Sequence, residues 1–216
     1  MKAYQLSLFS LFIIWSFALL PVFAEDTEST LTKIQHDWAY AKYKSSGKDQ
    51  KERFMQLIEE SEKFIASSPD SAEALIWGGI VQSTYAGVKG GIGALKYAKN
   101  ARKKLEQAIK LDPSALQGSA YTSLGTLYYK VPGFPLGFGN KRKAEELLLK
   151  ALEINPNGID SNYFYGDYLI EQKQYAKAIP VLEKALAAPD RPDRLIADEG
   201  RRQEIKNALA VAKSKA

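Results

Sequence analysis

The stretch Ala144-Glu145-Glu146-Leu147-Leu148-Leu149-Lys150-Ala151-Leu152-Glu153-Ile154-Asn155-Pro156 decides the fold. On a helix, Ala144, Leu148 and Ala151 fall on one narrow stripe, where a neighbouring helix can approach closely and the leucine fills the space left between the small side chains. Pro156 cannot continue the helix and opens the next turn. The same order of residues returns at Ala101, Leu105, Ala108 and Pro113, and again at Ala178, Leu182 and Ala185, with Pro189 one residue early. Three such passages predict three helices packed through equivalent stripes.

Upstream of each passage stands a glycine after a large apolar residue: Trp77-Gly78 with Val81, Leu124-Gly125 with Tyr128, and Tyr165-Gly166 with Leu169. Glycine inside a helix costs roughly 0.5 to 1 kcal/mol against alanine, so its return at equivalent places calls for close helix packing as compensation. From residue 25 onward apolar residues recur at steps of three and four, and no alternating, strand-like segment competes, so the fold class is all-α. The paired signatures resemble the tetratricopeptide repeat, a helix-turn-helix unit of about 34 residues whose copies stack into a superhelix. The resemblance implies a short right-handed α-solenoid of eight or nine helices and covers residues 71–190 as three repeats. Gly166 and Ala178 are 12 apart, the family spacing, whereas Gly125 to Ala144 is 19 and Gly78 to Ala101 is 23. Two repeats therefore carry insertions of 7 and 11 residues between their helices. Residues 25–70 read as a degenerate N-terminal helix pair, with Trp38 and Tyr40 in one helix, Phe54 to Ala66 in the other, and Leu57, Ser61 and Phe64 in the stripe positions. Residues 191–216 read as a C-terminal capping helix with Leu195, Ile205, Leu209 and Val211 inward and Arg201, Arg202 and Lys206 outward.

Of the 216 residues, 45% are hydrophobic and 25% charged, the balance of an ordinary globular chain. There is no cysteine and one histidine, His36, which excludes thiol chemistry, a thiolate metal site and a histidine-based cluster or triad. The acidic pairs Glu59-Glu60, Glu145-Glu146 and Asp198-Glu199 are sequential neighbours that point to different sides of a helix. No enzyme activity, cofactor or metal is expected. Val88 to Gly93 is glycine-rich but lacks the preceding strand of a dinucleotide site and the Gly-Lys-Ser/Thr of a phosphate loop, so it reads as a helix-to-helix turn. The net charge of +5 is modest and its cations, such as Lys99, Arg102 and Lys103, interleave with apolar positions, which argues against a nucleic-acid partner.

Met1 to Ala24 has the form of a secretory leader: Lys2, an apolar run over Leu8 to Leu20, then Pro21-Val22-Phe23-Ala24. Cleavage after Ala24 is expected, giving a periplasmic or secreted protein with no stable membrane insertion. The alternative is an uncleaved N-terminal membrane anchor over Tyr4 to Ala24, which Gln5, Ser7, Ser10 and Ser16 weaken.

The second insertion, Lys130 to Asn140, holds two prolines, three glycines and two phenylalanines. Leaving Phe134 and Phe138 in water costs about 1.5 to 3 kcal/mol each, so both are expected to pack, either back onto their own repeat or as the wall of a binding groove. Gly139 or Asn140 caps the next helix, whose first turn, Lys141-Arg142-Lys143, sets three cations against the helix dipole. That placement points either to an anionic neighbour or to a solvated basic face. Tyr121, Tyr128, Tyr129, Tyr163, Phe164, Tyr165 and Tyr168 lie near the loop in sequence, a density consistent with a ligand-facing surface. In the repeat family the second, fifth, ninth and twelfth places of the first helix line the concave face. The resemblance thus puts Ser119, Thr122, Thr126 and Tyr129 there, and Asp160, Tyr163, Asp167 and Ile170 in the next repeat. The candidate partner- or ligand-binding residues are Tyr129, Phe134, Phe138, Tyr163 and Asp167. In the connector Ala188 to Arg194, aspartate and arginine are placed to pair and hold the last helix.

A second resemblance rests on Leu127-Tyr128-Tyr129, the Pro/Gly loop, the Ala144 to Pro156 helix and Asn162 to Tyr168. Residues 118–190 look like the periplasmic T-component associated with TRAP transporters. That resemblance implies a periplasmic solute-binding protein as partner and the handling of small hydrophobic ligands. The chain lacks the cleavage-site cysteine of lipid-anchored members. The function expected is therefore an exported scaffold that binds a protein or peptide in its concave groove. The alternative is a carrier of a small hydrophobic ligand in an aromatic pocket beside the 130–140 loop.

Overall fold

Ala101, Leu105 and Ala108, Ala144, Leu148 and Ala151, and Ala178, Leu182 and Ala185 have no solvent exposure, as the three stripes require. The computed structural model describes residues 22–91 and 93–216, with side chains from residue 30 onward. The leader expected over residues 1–24 lies outside them except for its last three residues. The elements in order are α1 (Val22–Tyr43), α2 (Gly47–Ser67), α3 (Ala72–Lys89), α4 (Ala94–Leu111), α5 (Ala115–Lys130), α6 (Lys141–Ile154), α7 (Ile159–Glu171), α8 (Tyr175–Leu186), a single 3-10 turn (Pro192–Arg194) and α9 (Leu195–Lys215). Among the described residues no strand forms, and the all-α helical-repeat architecture is the one the spacing predicts.

Each stripe leucine faces a glycine on the paired helix. A Cβ on Gly125 would lie 2.8 Å from Leu148 Cγ, and one on Gly166 2.5 Å from Leu182 Cδ2. In the first repeat the residue in this role is Gly79, whose added Cβ would lie 2.7 Å from Leu105 Cγ, whereas Gly78 faces Ile65 and Lys104. The register read through Gly78 is therefore corrected by one residue. Burying a leucine contributes about 1.5 to 3 kcal/mol, which exceeds the helix-interior cost of the glycine opposite it.

The insertions are absorbed differently. In the first repeat α3 and α4 lengthen to 18 residues each, against 13 and 12 in α7 and α8, and they meet at the glycine-rich turn. In the second repeat the extra residues form a loop over 131–140. Asn140 caps α6, its side chain accepting a hydrogen bond from the Lys143 amide. At the start of α5, Leu116, Gln117 and Gly118 are left-handed, with φ of 47°, 56° and 74°. The two non-glycine residues cost of order 1 kcal/mol each there. Leu116 packs against both core clusters, and Gln117 Oε1 accepts a hydrogen bond from Asn155 at 2.8 Å.

The last helix departs from simple stacking. α9 lies against α8, where Lys213 pairs with Glu183, and it also reaches α1. Tyr43 donates to Glu204, Lys44 pairs with Glu199, and His36 Nε2 lies 2.7 Å from the Asp193 carbonyl oxygen. Gly200 permits the contact, since a Cβ there would overlap the Tyr43 ring. The face of α9 differs from its hydrophobic pattern in consequence. Arg201 and Asp198 are buried along with Ala197, Ile205, Leu209 and Ala212, while Leu195 and Val211, expected inward, are exposed.

Candidate functional site

Asp160 opens α7 and receives two arginines from the C-terminal segment. Arg201 Nε donates to Asp160 Oδ1 and Arg191 Nη1 to Asp160 Oδ2, both at 2.8 Å. Arg191 also donates its backbone amide and its Nε to Asp198, and Arg201 pairs with Glu204. The Arg201 guanidinium lies 4.4 Å from the ring centres of both Tyr163 and Phe164. Helix α9 is thus held on α7 by charge-assisted hydrogen bonds and by two aromatic faces, the strong forms of polar contact. Arg194, with no ion pair among the described residues, lies over the Trp77 ring at 5.0 Å.

Burial works against the Asp160 carboxylate, but Arg201 and Arg191 outweigh it and hold its pKa down at about 2. Burial likewise works against the Arg201 charge, and the Tyr43, Asp160 and Glu204 oxygens around it raise its pKa above the usual arginine value. Burial raises the Tyr43 and Tyr163 phenols, which therefore remain protonated. Because Asp160 is depressed in the folded chain, its contribution is present above the ordinary carboxylate pKa of about 3.9 and is lost as pH falls toward 2. Between roughly pH 4 and 2, amide exchange in α9 is expected to accelerate ahead of exchange in α6. Equal protection of α9 across that range would contradict the role given to Asp160.

A second cluster joins α5 to α7. Tyr129 donates to Asp167 Oδ2 at 2.7 Å, and Lys130 Nζ pairs with Asp167 and Glu171, each at 2.9 Å. Burial and the Asp167 charge push the Tyr129 phenol well up, so it stays a donor. Of the five residues singled out from the sequence, the structure brings Tyr129 and Asp167 into direct contact and sets Tyr163 beneath Arg201. Phe138 turns back and meets the Tyr128 ring edge-on at 5.5 Å, with the Arg102 guanidinium 4.8 Å from its ring centre. Phe134 does not pack at all and is 93% exposed, contrary to the expectation that both rings would be covered. The charged residues of the connector pair with α9 and not with one another: Arg191 with Asp198, and Asp190 with Arg202. Sequence reasoning missed Arg201, Glu204, Tyr43 and Trp77. Contacts such as Arg201 with Asp160 and Tyr43 with Glu204 span 41 residues or more, that of Trp77 crosses from α3 to the C-terminal segment, and none leaves a local signal.

The carboxylates of these two clusters are matched by cations or phenols, and among the described residues no group of histidine, cysteine, aspartate or glutamate is placed to hold a metal ion. What the arrangement can do is hold a helix by charge and ring contact. No curated protein matches the sequence. Among solved structures, the chain is similar to a thermophilic TPR protein of Thermus thermophilus, with 20% identity, a TM-score of 0.58, and 88% of this chain and 91% of that one covered. It is also similar to MamA, at 21% identity and a TM-score of 0.44, with 78% and 91% covered. Identity at this level speaks for the fold alone. Residues 159–189 match the model of the tetratricopeptide repeat, and the described chain has the all-α repeat fold of a TPR solenoid.

Proposed function

We propose that the chain is an exported, non-catalytic scaffold that holds a protein or peptide partner on the inner faces of α5 and α7. The observation that carries this reading is the seating of Arg201 on Tyr163, Phe164 and Asp160: the inner face already accommodates a helix through rings and a carboxylate. Tyr129, Asp167 and Lys130 extend that surface beyond the part α9 covers. Buried aromatic residues flanked by paired charges are the groups that dominate protein recognition. The leader-like residues 1–24 support a periplasmic or secreted location, and no helix of the described residues is long and apolar enough to cross a membrane. A periplasmic solute-binding protein is the partner that the TRAP T-component resemblance favours. A small hydrophobic ligand beside the 130–140 loop is less favoured, because Phe138 itself fills the space against Tyr128 and Arg102.

Capture of periplasmic proteins by the purified chain tests the reading. Lys130→Ala and Asp167→Ala, in the part that α9 leaves uncovered, should each leave the helical content intact and weaken recovery of the captured partner by about fivefold or more, the effect of losing over ~1 kcal/mol of contact. Undiminished recovery with both variants would remove the inner face from the binding surface.

A further inference from the structure

The loop between α5 and α6 and the first turn of α6 together form a surface that the inner-face reading does not use. Phe134 is 93% exposed and Leu136 75%, more than any other large hydrophobic residue described. They stand on a loop that is tied down at its base. The Gly137 amide donates to the Gly133 carbonyl at 3.0 Å, Gly139 to Pro132 at 2.9 Å, and Asn140 to Tyr128 at 2.8 Å. Gly137 and Gly139 are needed for this closure, since a Cβ on either would overlap the Pro132 backbone. Phe138 anchors the loop to Tyr128, so Phe134 and Leu136 are presented by a fixed support.

The foot of the same loop is basic. Lys141, Arg142 and Lys143 are exposed, no acidic residue shares their turn, and none has an ion-pair partner among the described residues. Lys143 Nζ lies 4.6 Å from the Tyr128 ring centre, and Arg102 sits on Phe138. Three cations at the positive end of a helix repel its dipole, and the carboxylates that follow them in α6, Glu145 and Glu146, form no ion pair with them. An anionic counterpart outside the chain would. The apolar tip offers two large exposed side chains, far short of the roughly 800 Å² per partner that a specific protein interface buries. A bilayer makes no such demand: isolated aromatic and aliphatic side chains enter the boundary between headgroups and acyl chains while flanking cations meet the lipid phosphates.

We infer that Phe134 and Leu136 insert into the surface of an anionic phospholipid bilayer, with Lys141, Arg142 and Lys143 contacting its headgroups. The contact is peripheral, and it sets the scaffold on the membrane by the α5–α6 end.

The test uses the full chain carrying Phe134→Trp, mixed with vesicles of phosphatidylcholine alone or of phosphatidylcholine with phosphatidylglycerol. Emission is read as the difference from the parent chain, which carries Trp15, Trp38 and Trp77, so the added indole alone reports the loop. The expected result is a blue shift of that difference with the anionic vesicles only, reversed by high salt. Lys141→Glu with Arg142→Glu, introduced into the same background, should weaken the lipid titration at least about tenfold, in line with the contribution of single cations near an anionic surface. An unshifted emission with anionic vesicles overturns the proposal, as does an equal shift with neutral ones or a titration indifferent to the charge reversals. If Phe134→Ser with Leu136→Ser instead abolishes capture of a periplasmic protein while vesicles leave the indole unchanged, the loop is a protein contact and the lipid assignment fails. The reading through Lys130 and Asp167 stands or falls separately.

Discussion

Gly125→Leu is expected to lower the unfolding free energy by about 3 kcal/mol, the upper part of the range for an overpacked core. The added side chain enters where a single Cβ would already lie 2.8 Å from Leu148 Cγ and 3.2 Å from the Ala144 carbonyl oxygen. Leu148 has no exposed surface into which it can turn, and the carbonyl belongs to the ladder of α6. The two helices must separate, and each stripe residue between them loses contact. Even Gly125→Ala is destabilising on this geometry, although alanine is the better helix former. Thermal or urea denaturation checks both, and an unchanged midpoint for Gly125→Leu would mean that α5 and α6 do not meet through this pair. The same substitution at Gly79 should be comparably severe and more so than at Gly78, where the neighbours are the side-chain ends of Ile65 and Lys104.

The second large effect is expected at Arg201. Its side chain is 8% exposed and joins Asp160, Glu204, Tyr163 and Phe164. Removing one partner of a buried pair costs about 3 to 5 kcal/mol because the other charge stays behind unpaired. Here Asp160 keeps Arg191, and Glu204 keeps Lys42 and Tyr43, so Arg201→Ala should cost about 3 kcal/mol, the lower end. The loss should fall first on α9, seen as faster amide exchange and earlier proteolysis there while α5 to α8 remain protected. Arg201→Lys should not restore the native value, since an ammonium cannot reproduce the planar fork or lie flat over two rings. Uniform loss of protection across all helices, or none, would show that Arg201 does not hold α9 in place.

How much was legible in the sequence depended on how local the cause was. The alanine stripes and their leucines were readable because helix packing imposes a period on a dozen consecutive residues. Which of Gly78 and Gly79 fills the glycine role was not, since two adjacent glycines satisfy the same spacing and only the facing Leu105 distinguishes them. The connector's charges were legible but their partners were not: Arg191 reaches Asp198 on α9, seven residues on, and Asp160, 31 residues back. On α9 the hydrophobic pattern placed arginine in water and Leu195 inside. The reverse holds because Arg201 answers a carboxylate 41 residues away, a contact with no trace in the helix's own period. Tyr129 and Asp167 were picked out singly, and their mutual hydrogen bond appears only once α5 and α7 lie side by side. Phe134 and Phe138 look alike in the chain, yet only Phe138 finds an aromatic neighbour.

The contact between α9 and α1 fixes the length of the array. Open solenoids gain or lose units with little penalty, because each unit touches only its neighbours. Here the final segment must come back to Tyr43 and Lys44, with Gly200 meeting the tyrosine ring. Duplicating or deleting one helix pair would carry that segment past its berth or stop it short, so the bracelet clasps at a single circumference and copy number in this protein is not free to drift.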